Sequence, residues 1–207
     1  MPKGVFNIPE IKNEPVMNYA PGSPERAELK KAIEEMRSEV TDVPMIIDGK
    51  EVRTENTVSI HPPHDRKHLL GHYHKGDAAH VKQAIDAALN AREKWANMSW
   101  EHRASVFLKA ADLLSGPYRQ RMNAATILGQ SKNVFQSEID AAAELVDFFR
   151  YNVHYMMKIY KEQPTSPKNI WDRMEYRPLE GFVFALTPFN FTSIAGNLPS
   201  APATMGN

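Results

Sequence analysis

Asn190 stands just beyond an apolar run, Leu179 to Leu186, that closes with Thr187-Pro188-Phe189. The run reads as a strand that stops at the Thr-Pro break, with one carboxamide presented where the chain turns into a helix. Such a turn can aim backbone N–H groups and a side-chain amide at one oxygen, which steadies the negative charge that develops when a carbonyl is attacked. The same asparagine has a plainer use as the N-cap of the following helix. Thr187 and Pro188 have one too, since threonine can close a strand and proline denies the ladder a further donor. The residues alone leave both uses open.

Other chemistry is narrower. The 207 residues contain no cysteine, so no disulfide, Cys-ligated metal or thiol nucleophile lies among them. His61, His64, His68, His72 and His74 crowd into one stretch, and His72 and His74 share one face of a strand. No carboxylate-plus-histidine helix motif accompanies them, and His61 and His64 bracket two prolines, so a solvated edge is expected and a metal site is not. No Gly-x-Gly-x-x-Gly occurs around Gly181 or Gly196. Lys+Arg and Asp+Glu balance at 25 each, which leaves no net field to favour nucleic acid or an anionic membrane. No apolar run reaches the roughly 18 residues of a membrane span.

The elements that must position these groups follow from caps and periodicity. Residues 1–22 are rich in proline and asparagine without a repeat, which predicts an extended arm held by tertiary contacts. Ser23-Pro24-Glu25 starts a helix to about Val40. Asp48-Gly49 predicts a hairpin over 44–52, with Val58–Ile60 and Leu69–Tyr73 extending the same sheet. Asp77 caps a helix that carries Val81, Ile85, Ala88 and Trp95 on one face, and Ser99 caps another that stops at Gly116-Pro117. A third helix covers about Tyr118 to Leu128. A long fourth runs from about Asn133 to Tyr160, with Ile139, Ala143, Val146, Phe149, Val153 and Tyr160 as its core stripe. The polar alternation of 161–177 predicts a two-stranded ribbon, which would be marginal in water without a partner.

Several blocks together resemble the aldehyde dehydrogenase superfamily. The first is Thr187-Pro-Phe-Asn-Phe-Thr192, followed by Pro202-Ala-Thr-Met-Gly-Asn207. With it stand Gln136 to Arg150, Asn13-Glu-Pro-Val16, Gly22 to Arg26, and Phe107 to Pro117. Their detail is similar to the Δ1-pyrroline-5-carboxylate (glutamate-γ-semialdehyde) dehydrogenases, across nearly the whole chain. The resemblance implies an α/β fold: the N-terminal portion of an NAD-binding domain, a helical bundle plus small sheet, with a protruding oligomerisation ribbon. It divides the chain into an arm at 1–22, a helical and sheet part at 23–160, the ribbon at 161–177, and at 178–207 the start of a nucleotide-binding sheet carrying the catalytic Asn turn.

The resemblance also implies roles. Asn190 is the oxyanion stabiliser, Thr187 and Pro188 lie against the nicotinamide half of NAD, and Phe191 is one wall of an aromatic slot for the semialdehyde. Glu144 sits on a helix bordering the substrate tunnel, although a surface glutamate making an i,i+4 contact with Phe148 is the plainer reading. The thiol nucleophile, the Glu general base and the lysine that grips the adenosine ribose fall beyond Asn207 in the family pattern. These residues alone are therefore expected not to oxidise aldehydes and to bind NAD only in part. The ribbon implies a homodimer or larger assembly. The expected reaction is oxidation of glutamate γ-semialdehyde to glutamate; another semialdehyde, or a non-catalytic assembly module, would fit the same residues. Residues 1–16 have early prolines, no arginine and no hydrophobic segment, so the cytoplasm is expected, or the mitochondrial matrix if a presequence has been removed.

Overall fold

The computed structural model describes residues 7–207; the first six lie outside it. Helix α1 (Pro24–Ser38) begins as its caps dictate, with Ser23 Oγ accepting from the Arg26 N–H. Asp77 accepts from Ala79 and His80 N–H groups at the head of α2 (Ala78–Ala96), and the His80 ring reaches back to complete a capping box. Ser99 caps α3 (Trp100–Ser115) through the His102 N–H. Helix α4 (Arg119–Gln130) ends at Ser131 in the left-handed region.

Strands β2 (Met45–Ile47) and β3 (Lys50–Val52) form the hairpin, with Asp48 and Gly49 both at positive φ as a two-residue primed turn requires. The expectation that one sheet would continue from it is corrected. β4 (Thr57–Ile60) and β5 (Gly71–His74) instead join β1 (Thr41–Val43) in a separate sheet of order β1-β5-β4, parallel between β1 and β5 and antiparallel between β4 and β5. Gly71 permits that parallel pairing, because a Cβ there would fall 2.1 Å from the Thr41 carbonyl oxygen.

The long fourth helix is not uniform. It comprises α5 (Val134–Ser137), a π-helical turn (Glu138–Ala143) and α6 (Glu144–Lys161). The inserted turn shifts the register, so Ile139 faces outward, while Ala143, Val146, Phe149 and Val153 are buried as the stripe predicts. Val146 and Phe149 pack against Ala111 and Phe107 of α3, and Val153 and Met156 against Ala104. On the other side Leu29 of α1 meets Ala124 of α4 and Tyr19.

The arm is held by a buried polar hub. Glu138 is wholly buried and pairs with Arg119; it also accepts from Met17 N–H at 2.8 Å, Tyr19 Oη at 2.7 Å and Asn123 Nδ2 at 2.7 Å. Glu14 bridges Arg119 and Arg150 at 2.6 and 2.7 Å, and Asp147 takes Asn13 and the Glu14 N–H. Burial opposes the charge on Glu138, but the bonds from Arg119, Met17, Tyr19 and Asn123 outweigh it and hold the carboxyl below its usual range. Burial and the same carboxylate push the Tyr19 phenol up to about 12.

Three further expectations end differently. No residue of α2 is buried and Val81 lies exposed; β2 meets the helix, and near its C-terminal end Arg92 donates to the Leu179 carbonyl and Trp95 Nε1 to the Ala203 carbonyl. Residues 161–177 fold back without a backbone ladder. Gln163 bonds both ways to the Met174 backbone, Ser166 does so to Asp172, and Asn169 turns the chain at positive φ. Among the described residues the apolar segment 179–187 is paired with no strand, since β-prone residues form a ladder only beside a partner; Phe184 is 77% and Leu186 78% exposed.

Candidate active site

Helix α7 (Thr192–Thr204) follows directly on Asn190. Its N-cap is Phe191, whose ring has no acceptor, so the first N–H groups find no partner in their own segment. Asp140 on the π-turn supplies it from outside. One carboxylate oxygen accepts from the Thr192 N–H at 3.3 Å, and the other from the Ser193 N–H at 3.4 Å and Ser193 Oγ at 2.9 Å. Asp140 is itself 5% exposed and ion-paired with Lys132, whose ammonium stands 4.3 Å from the centre of the Phe191 ring.

The remaining groups are tied as closely. Ser193 Oγ also lies 2.7 Å from Glu144 Oε2, so its single proton is shared between two carboxylates. Thr192 Oγ1 meets Thr126 Oγ1 at 2.8 Å and takes a bond from Gln130 Nε2 at 2.9 Å. Gly196 lets α7 press onto α6, since a Cβ there would meet Leu145 at 2.6 Å. The start of α7 is thus pinned on several sides.

Asn190 is exposed and is not the cap of this helix. Its plainer reading is therefore removed, and its amide is not committed to holding α7. Thr187 is half-buried, while Pro188 and Phe189 are exposed, Phe189 to 94%. Phe191 is partly covered by Lys132. The contact that occupies Glu144 is with Ser193, not the i,i+4 neighbour Phe148 expected on a plain helix. Asp140, Lys132 and Ser193 carry the site's geometry and were not singled out from sequence. One signal was available: an acid embedded before Ala141-Ala142-Ala143 in a run otherwise read as core.

The histidines are dispersed. His61 bonds the His68 carbonyl, His64 bonds Ser131, and His72 lies beside Ser59. His74 Nε2 bonds Asp42 at 2.9 Å while Nδ1 meets the Thr54 backbone, and those two contacts, Asp42 foremost, raise its pKa. Among the described residues no three His, Cys, Asp or Glu side chains are placed to share a metal ion. No described helix is long and apolar enough to cross a membrane.

Residues 50–207 match the pattern of the aldehyde dehydrogenase family. Over 206 residues the chain is 54% identical to a Δ1-pyrroline-5-carboxylate dehydrogenase of Agaricus bisporus, covering 98% of this chain and 37% of that protein. It is 44% identical to the mitochondrial human enzyme of that name, covering 96% of this chain and 35% of that one. Among solved structures, the Mycobacterium tuberculosis enzyme bound with NAD superposes with a TM-score of 0.97 at 46% identity, over 99% of this chain and 38% of that chain. The chain thus spans little more than a third of the relatives it matches. With an α/β architecture, the strand-like run, the Asn turn and α7 all in family order, the chain belongs to the aldehyde dehydrogenase family.

Proposed function

We propose that these residues form the N-terminal portion of an NAD-dependent enzyme that oxidises glutamate γ-semialdehyde, the open form of Δ1-pyrroline-5-carboxylate, to glutamate. The observation that carries this is the division of labour at α7: Asp140 caps the helix, so the Asn190 amide remains available to a reacting oxygen. Relatives at 44–54% identity bear the corresponding name.

In the complete enzyme, as the family resemblance implies, a cysteine outside these residues attacks the aldehyde carbon and the carbonyl oxygen gains negative charge. The Asn190 Nδ2–H donates to that oxygen more strongly in the transition state than to the neutral aldehyde, which is what lowers the barrier. Phe191, steadied beneath the Lys132 ammonium, offers an apolar wall to the substrate's methylene chain. Glu144 shares the Ser193 proton at the start of the same helix. An activated water then releases glutamate.

NAD, when bound, accepts the hydride. Thr187 and Pro188 would hold its nicotinamide half, and the residues present fit that group: a half-buried threonine hydroxyl beside an exposed proline face offers one polar and one apolar contact to a planar carboxamide-bearing ring. Residues 161–177 are the proposed oligomerisation element, supported by Trp171 standing 87% exposed at their tip. For the compartment we keep the cytoplasm, with the mitochondrial matrix as its rival because relatives from Emericella nidulans and Homo sapiens are named mitochondrial. Subcellular fractionation separates the two.

The direct test follows NADH formation from glutamate γ-semialdehyde. The longer enzyme is expected to turn over, and the 207 residues alone, which lack a thiol, are not. Turnover by the isolated residues would overturn the assignment of the nucleophile, and a longer enzyme inert toward this aldehyde would overturn the assignment of substrate.

A further inference from the structure

We propose that Asp140 is a positioning residue for Asn190, so that the π-turn sets the aim of the amide that meets the oxyanion. The inference rests on the reading of Asn190 given above and adds to it the side chain that makes its geometry reproducible.

Asn190 is separated from the pinned start of α7 by one residue. Asp140 holds the N–H groups of Thr192 and Ser193 and the Ser193 hydroxyl. Lys132, paired with the same carboxylate, stands over the ring of the intervening Phe191. With 191–193 fixed, the amide of Asn190 can wander only through its own backbone and side-chain torsions. The helix side thus limits where the amide can point.

The π-turn carries Asp140. It packs two acids at i and i+2 into the interior, Glu138 at 0% and Asp140 at 5% exposure, yet sends them to different partners: Glu138 to the arm hub and Asp140 to α7. A buried carboxylate at a remote helix start, with a cap residue that cannot do the task itself, costs a lysine and a local irregularity to maintain. Its return is geometric precision at the residue next door.

The test is a double-mutant cycle in the longer enzyme. Asp140→Ala should lower kcat about tenfold to a hundredfold, the scale of a misplaced reacting group, with the NAD dissociation constant held within about twofold. Asp140→Asn, which keeps the shape and one acceptor oxygen, should recover part of that loss, and it carries the test should the alanine variant fail to fold. Asn190→Ala should lower kcat more, and adding Asp140→Ala to it should cost little further, because the aim of an absent amide is immaterial. Wild-type kcat in both Asp140 variants, or losses that multiply in the double variant, would overturn the role of Asp140 and leave Asn190 in place. An unaltered kcat in Asn190→Ala would instead remove the reading on which both depend.

Discussion

The hub beneath the arm and the turn before α7 use polar side chains in opposite ways. In the hub, Arg119, Glu138, Glu14, Tyr19 and Asn123 are drawn out of water and bond to one another, with Asn123 Oδ1 alone of their polar atoms buried without a partner. At the turn, Asn190 stays exposed and uncommitted to the helix it precedes, while Asp140 does the capping. A buried, paired group is costly to disturb and unavailable to a ligand; an exposed, unspent one is cheap to remove and available. The contrast separates side chains that hold the fold from those that can act on something else.

The largest effect should come from the hub. Arg119→Ala leaves Glu138 buried without its cation, and unfolding by urea should show a loss of about 3–5 kcal/mol. A loss below about 1 kcal/mol would mean that the hub is not the clamp described here. Next, Asp140→Ala removes a remote cap from α7 and leaves Lys132 without its partner, and should cost about 1–3 kcal/mol in the same assay. A change near zero would place the α7 start among exposed features.

Smaller effects appear on titration. The folded pKa of His74 is raised, so its bond to Asp42 stabilises fully below the unfolded value of about 6.5 and fades as pH rises through the folded one. Asp42 is lowered, by Arg53 first and His74 second, so its part is present above about 3.8 and is lost as pH falls through its folded value. Thermal melts should therefore weaken slightly as pH climbs through and past 6.5, and Asp42→Asn should flatten that slope; an unchanged slope would dissociate the pair from stability. The smallest effect should be Asn190→Ala on folding itself, within about 0.5 kcal/mol, since the side chain caps nothing. A larger loss would move Asn190 to the hub's side of the contrast.

How much of this was legible in the sequence depended on range. Ser23, Asp77 and Ser99 could be read as caps because their partners lie within three residues, and Asp48-Gly49 because a two-residue turn is a local event. The partition into two sheets was not legible, since β1 finds β5 across about thirty residues and nothing near Thr41 encodes that choice. The long helix was readable as helix but not as interrupted helix, because the π-turn leaves the apolar stripe from Ala143 onward in step. Asn190 could be singled out from its turn, yet its two uses could not be told apart until the structure placed Asp140 at the cap. That decision turned on a residue fifty positions upstream.

The most direct measurement is kcat of Asn190→Ala in the longer enzyme, with the NAD dissociation constant recorded beside it. Loss of one oxyanion donor predicts a fall of about a hundredfold to a thousandfold with cofactor affinity unchanged. Turnover equal to the unaltered enzyme would contradict the account, since the amide would then be bearing on nothing that reacts.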